Sequence, residues 1–145
     1  MINKFDIDFE KPEYGWLYFS ILKDKKPMID ILASGVYNPF GDYVDIVYDL
    51  KHNRKKKLEF IIDQEGFDAR ITFISRGIYV YIETETLTEN TKRRKHLPKT
   101  SGKFLRKDVV KKMKEGLMTV FNKNKKEMCD LSYNFEFNKG KLIRT

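Results

Sequence analysis

The sequence has few of the residues that most often carry chemistry. Its 145 residues include one cysteine, Cys129, and two histidines, His52 and His96. A single cysteine excludes a disulfide within the chain, and this fits a reducing compartment, so we expect a cytoplasmic protein. Neither histidine has a histidine, cysteine or carboxylate at metal-ligand spacing. We therefore expect no zinc or other metal site, and no cofactor.

Long apolar runs and clustered glycines are also missing. The apolar runs are much shorter than the roughly 20 residues of a membrane-spanning helix, so we expect no membrane partner. The polar segment Met1–Lys11 does not have the pattern of a signal peptide. The glycines stand singly and form no phosphate-binding loop. No acid–base pair or activated nucleophile is recognisable, so we expect no catalytic residues and no enzyme activity.

The segment Leu58–Glu85 carries the clearest structural pattern. Three runs rich in β-branched and aromatic residues, Leu58–Asp63, Ala69–Ile74 and Gly77–Glu85, are separated by turn signals that contain glycine. Alternation of apolar and polar residues with period two is typical of half-buried antiparallel strands. Glycine permits the positive φ of tight hairpins. The segment therefore predicts a three-stranded meander.

The N-terminal third predicts further strands and a helix. Lys4–Phe9 alternates as a short strand, and Trp16–Lys23 with Met28–Ala33 forms a hairpin about a polar turn. Pro39–Lys51 has apolar residues at helical spacing, with acidic residues early and basic residues late, which suits the helix dipole. Asn38 is placed to cap this amphipathic helix.

The C-terminal half begins with a basic loop or linker over residues 86–102. Lys103–Asn122 has an apolar stripe at helical spacing, with Thr100 or Ser101 as its cap, and Gly116 marks close packing or a bend. The alternation in Cys129–Phe137 predicts a last strand.

These elements predict one α+β domain over residues 1–145. We expect a mainly antiparallel sheet of six or seven strands, built from the N-terminal hairpin and the meander, with two amphipathic helices covering its apolar face. Residues 103–145 would form a C-terminal helix–strand unit.

Charge is distributed unevenly along the chain. Residues 92–126 contain 14 lysines and arginines and two acidic residues, whereas the whole chain has a net charge of +8. Such a run is either a solvated helix face or a surface for an anionic partner. The candidate partner-binding cations are Arg93, Arg94, Lys103, Lys107, Lys111 and Lys114. Asp42, Asp45 and Asp49 share the polar face of the first helix and form a second candidate surface, for a basic partner.

Two further residue sets have competing interpretations. Tyr79 and Tyr81 share one face of a strand, where they either stack nucleic-acid bases or pack against neighbouring strands beneath a helix; we expect packing. Cys129 shares the inward positions of the predicted last strand with Leu131 and Tyr133, which favours a buried, unreactive thiol over a nucleophile.

The order of motifs in Glu13–Ile82 resembles one group of small bacterial proteins. The residues that carry the resemblance are Gly15-Trp16-Leu17 opening a strand, the hairpin to Ala33, the helix entry Asn38-Pro39-Phe40-Gly41-Asp42, and the strands of Leu58–Ile82. The similar proteins are polymorphic-toxin immunity proteins and their relatives. The resemblance covers about half of the chain and implies a stoichiometric binding protein with no catalytic residues.

The sequence thus predicts a non-catalytic, cytoplasmic binding protein of the immunity type that neutralises a protein partner, such as a toxin domain. The alternative is a nucleic-acid-binding protein that uses residues 92–126 to contact phosphates.

Overall fold

The computed structural model describes residues 1–34, 39–64, 67–88, 99–131 and 135–145. Within them the protein is an α+β structure with antiparallel strands, as the sequence predicts. In chain order the elements are β1 (Phe5–Phe9), β2 (Trp16–Lys23), β3 (Lys26–Ser34), α1 (Phe40–His52), β4 (Lys57–Asp63), β5 (Phe67–Arg76), β6 (Tyr79–Thr88), β7 (Thr100–Leu105), α2 (Arg106–Lys123), α3 (Lys125–Leu131) and α4 (Phe135–Ile143).

The N-terminal strands form a three-stranded sheet in the order β1-β2-β3. This confirms the predicted strand and hairpin. The turn of the hairpin contains Asp24 and Lys25, both at positive φ. Apolar residues alternate with polar ones along β1 and β2, so Phe5, Leu17 and Phe19 are buried while Asp8 and Tyr18 are exposed.

The predicted meander is confirmed as β4, β5 and β6, and it belongs to a second sheet. This sheet is four-stranded, in the order β4-β5-β6-β7. Gly77 has φ +62° in the turn between β5 and β6, a conformation that glycine adopts without steric cost. The seven described strands are therefore divided between two sheets, where the sequence suggested one. Apolar alternation identifies strands and their faces, but it does not identify which strands pair.

Hydrogen bonds outside the strand ladders join the two sheets. The Met28 carbonyl on β3 accepts hydrogen bonds from the hydroxyls of Thr84, at 3.4 Å, and Thr100, at 3.0 Å. The Asn3 N–H donates to the Lys103 carbonyl at 2.7 Å, and the Lys103 N–H donates to Asn3 Oδ1 at 3.0 Å. These bonds satisfy backbone groups at sheet edges that would otherwise be unpaired.

Helices α1 and α2 bury their apolar stripes in one hydrophobic core with both sheets. The buried hydroxyl of Tyr43 on α1 donates to the Met113 carbonyl on α2 at 2.8 Å. Gly116 marks close packing, because a Cβ there would lie 2.8 Å from Phe9 Cε2 on β1. No described helix is long and apolar enough to span a membrane.

Two predictions for the C-terminal half are wrong. The helix predicted to begin at Lys103 begins at Arg106, because residues 100–105 pair with β6 as strand β7. The strand predicted over Cys129–Phe137 is replaced by α3 and α4. The buried residues of α4 are Phe135, Asn138 and Leu142, which follow helical spacing, and Phe137 is 64% exposed.

Candidate partner-binding site

Three of the predicted lysines come together in one groove on the surface. Lys107, Lys111 and Lys114 lie on the same face of α2 and line a groove of about 640 Å³. Two further cations, Lys51 and Arg106, line it as well. We call this site the basic groove; its lining residues are Lys51, Ile78, Leu105, Arg106, Lys107, Val110, Lys111, Lys114, Glu115 and Thr145.

Three lining residues of the basic groove are apolar, namely Ile78, Leu105 and Val110. We call them the apolar floor, and the fold explains their position. Ile78 occupies the turn between β5 and β6 and is 63% exposed. The Arg106 N–H donates to the Ile78 carbonyl at 2.8 Å, so this turn is held against the start of α2. Leu105 ends β7, and Val110 lies one turn into α2. The groove is therefore lined both by apolar side chains and by five cations.

The cations of the groove are poorly compensated within the described part of the chain. None of the five forms an ion pair with a described aspartate or glutamate. Lys51 and Lys114 donate to the backbone oxygen of Thr145, at 2.6 and 3.2 Å. Arg106 Nη1 is buried without a hydrogen-bond acceptor among the described residues. A buried guanidinium N–H without an acceptor is costly.

Lys112, on the same helix, differs from the cations of the groove because its charge is paired with a carboxylate. Lys112 Nζ lies 4.0 Å from an oxygen of Asp6 on β1, on the opposite side of α2 from the groove. A second groove of about 530 Å³ runs there, and Asp6, Asp8 and Glu10 balance its lysines. The excess of positive charge on α2 is therefore concentrated on the side that faces the basic groove.

Lys103 does not belong to the helical stripe in which the sequence placed it. It lies on β7, and its Nζ is 4.2 Å from the ring centroid of Tyr79 and 5.8 Å from that of Tyr81. The guanidinium of Arg76 lies 5.4 Å from the Tyr81 ring. Because Val80 and the other alternate residues are buried, the two tyrosines occupy the outer face of the sheet. Both rings contact cations on the neighbouring strands β5 and β7, so the expected cross-strand packing is confirmed, and the expected cover by a helix is wrong.

The aspartates of α1 are largely paired within the protein. Asp45 forms a short hydrogen-bonded ion pair with Lys141 on α4, and Asp49 lies 3.9 Å from Lys55. Asp42 is exposed. The predicted acidic surface therefore offers an external partner less free charge than the sequence suggested. Nearby, a cleft of about 340 Å³ is lined by Tyr48, Arg54, Phe137, Lys141 and Arg144.

Of the remaining residues considered in the sequence, some lie outside the described ranges and the others can be located in the structure. Arg93, Arg94 and His96 lie outside the described residues. The His52 ring packs against that of Tyr48 at a tilt of 48°, with ring centroids 4.4 Å apart. Cys129 is exposed on α3, so the prediction of a buried thiol is wrong. Within the described ranges, no group of three or more histidine, cysteine or carboxylate side chains is placed to hold a metal ion.

Sequence reasoning missed Ile78, Arg106 and Val110 as members of the site. Ile78 directly follows the turn glycine Gly77, and no pattern in the sequence marks it as part of a site. Arg106 and Val110 share a helical face with Lys107 and Lys114. Leu105 was assigned to the buried stripe of a helix, and as the last residue of β7 it lines the groove instead.

Comparison of the chain with known proteins identified no similar protein. No protein-family model, no curated protein and no solved structure matches the chain.

Proposed function

We propose that the protein is a non-catalytic, cytoplasmic binding protein of the immunity type, which neutralises a protein partner by docking an acidic surface of that partner in the basic groove. The observation that carries this proposal is the groove itself. Arg106, Lys107 and Lys111 form no ion pair with a described aspartate or glutamate, and they line the same groove as the exposed apolar side chain of Ile78.

Charge and apolar surface have separate roles in this proposal. Cations on a rim attract an acidic partner at long range and raise the rate of association. The apolar floor of Ile78, Leu105 and Val110 then contributes affinity at short range, because a partner side chain that covers it removes apolar area from water. Interfaces in which an apolar centre is surrounded by a polar rim are common among specific complexes.

A pull-down with the full-length protein from cells of its source organism tests the proposal, together with identification of the genes beside its own. We expect a protein partner with an acidic surface, such as a toxin domain, that binds one to one and is lost when Lys107 and Lys111 are changed to glutamate. The matched control is Lys125→Glu with Lys126→Glu on α3, which makes the same charge change at exposed positions outside the groove. A pull-down that yields no protein partner contradicts the proposal.

Nucleic-acid binding is the second candidate, and the outer face of the four-stranded sheet favours it. The rings of Tyr79 and Tyr81 lie there beside Lys103 and Arg76, and aromatic rings next to cations are the elements that stack bases and contact phosphates. Binding through this face and residues 92–126 would weaken steeply with salt, by about one power of salt concentration for each phosphate neutralised. Absence of binding to single-stranded RNA or DNA at low salt excludes this candidate.

A further inference from the structure

We infer that the partner presents an amphipathic helix to the basic groove, with carboxylates on one face and an apolar side chain beside them. This inference rests on the proposed function and names the chemistry of the segment that the groove binds. Three features of the groove point to it: the spacing of the lysines, the position of Arg106 in the lining, and the apolar floor.

The spacing of the lysines matches that of a second helix. Lys107, Lys111 and Lys114 are four and three residues apart on one face of α2, and they span about 10 Å along its axis at 1.5 Å per residue. Carboxylates with the same separations on a partner helix repeat at the same intervals. Two helices laid side by side therefore bring each carboxylate near one ammonium group.

Arg106 supplies the geometric element of recognition. Its side chain lines the groove, and the residue is only partly buried. A guanidinium binds a carboxylate through two parallel hydrogen bonds, which an ammonium group cannot do. We assign Arg106 to the best-ordered carboxylate of the partner, at the end of the groove where α2 begins.

The apolar floor decides between an acidic protein segment and a nucleic acid in this groove. Ile78, Leu105 and Val110 form a surface beside the cations, and Ile78 is mostly exposed. An amphipathic helix covers such a surface with a leucine-like or phenylalanine-like side chain, as helices do in other apolar grooves. A sugar–phosphate backbone satisfies the lysines and leaves the floor exposed to water, so the observations favour the helix.

Selection from a displayed library of random peptides tests the inference without knowledge of the natural partner. The peptides have about four helical turns, roughly 15 residues, and they are selected on the full-length wild-type protein. We expect enriched sequences with acidic residues three and four positions apart and an apolar residue on the adjacent face. Enrichment of basic or uncharged sequences, or no enrichment, overturns the inference.

Variants of the protein then locate the site of the selected peptide. Arg106→Ala and Ile78→Ser should each weaken binding by at least about tenfold, and Arg106→Lys should recover only part of the loss because it keeps the charge without the paired hydrogen bonds. Lys125→Glu should leave the affinity unchanged. Circular dichroism confirms that each variant is folded, and Ile78→Ser replaces an exposed turn residue, so its result remains informative if an Arg106 variant is unstable.

Two outcomes separate this inference from the proposed function. If a natural protein partner depends on Lys107 and Lys111 but the selected peptides are not acidic helices, the inference fails and the proposed function stands. If a single-stranded DNA oligonucleotide displaces the selected peptide at comparable concentration, the groove binds polyanions in general, and this overturns the assignment to an acidic helix.

Discussion

Replacing Gly116 with alanine has two opposing effects on stability: it favours the helix, and it creates a close contact with β1. Alanine is more favourable than glycine in a helix interior by about 1 kcal/mol. Its Cβ would, however, lie 2.8 Å from Phe9 Cε2 and 3.2 Å from Ile7 Cγ2. The ring centroid of Phe9 lies 5.1 Å from that of Phe19 and 6.2 Å from that of Tyr43, so a shift of Phe9 away from the new Cβ would disturb both ring contacts.

We expect the close contact to outweigh the gain in helix propensity. Overpacking of this kind costs about 1–3 kcal/mol, so Gly116→Ala should lower the free energy of unfolding by about 1 kcal/mol net. Urea denaturation followed by circular dichroism measures this change. The double variant with Phe9→Leu relieves the contact, so the two substitutions should show a favourable coupling. A Gly116→Ala protein about 1 kcal/mol more stable than wild type would refute the close packing of α2 on β1.

Two further predictions concern hydrogen bonds. Tyr43→Phe removes the buried bond to the Met113 carbonyl at unchanged shape, and denaturation should show a loss of about 1 kcal/mol; an unchanged stability would contradict that bond. Hydrogen bonds from the Lys4 N–H and then the Asn3 amide lower the pKa of Asp24 below its usual 3.8. Because the folded-state pKa is depressed, this stabilisation is present above about pH 4 and lost as the pH falls through the folded pKa. Asp24→Asn should therefore be less stable than wild type at neutral pH, with a difference that shrinks in acid; a difference independent of pH would contradict it.

The strands and α1 could be predicted from the sequence because their signals are local. In β5, for example, Ala69, Ile71 and Phe73 alternate with polar residues and all three are buried, as the period-two pattern requires. The same rule failed for the C-terminal segment. There Phe137 was counted as inward-facing, and the buried Asn138 and Leu142 of α4 were not recognised.

The site was predictable in part, for a related reason. Lys107, Lys111 and Lys114 share a helical face, so local spacing was enough to group them. Lys51 and Ile78 reach the groove from α1 and from a turn between strands, and only the packing of distant elements brings them there. The sequence predicted Lys103 as the first residue of a helix. In the structure Lys103 pairs with Tyr81 between β7 and β6, and this contact between segments distant in the sequence outweighs the local helical pattern.

The most direct measurement of the central claim is the affinity of the captured partner for two matched double variants, by isothermal titration calorimetry. Lys107→Glu with Lys111→Glu should weaken binding by about 100-fold or more, because each reversal places a negative charge opposite the partner's acidic surface. Lys125→Glu with Lys126→Glu, which carries the same net charge, should bind within about threefold of wild type, since isolated surface charges contribute little. Equal losses in both variants, or a loss in neither, would contradict docking in the basic groove.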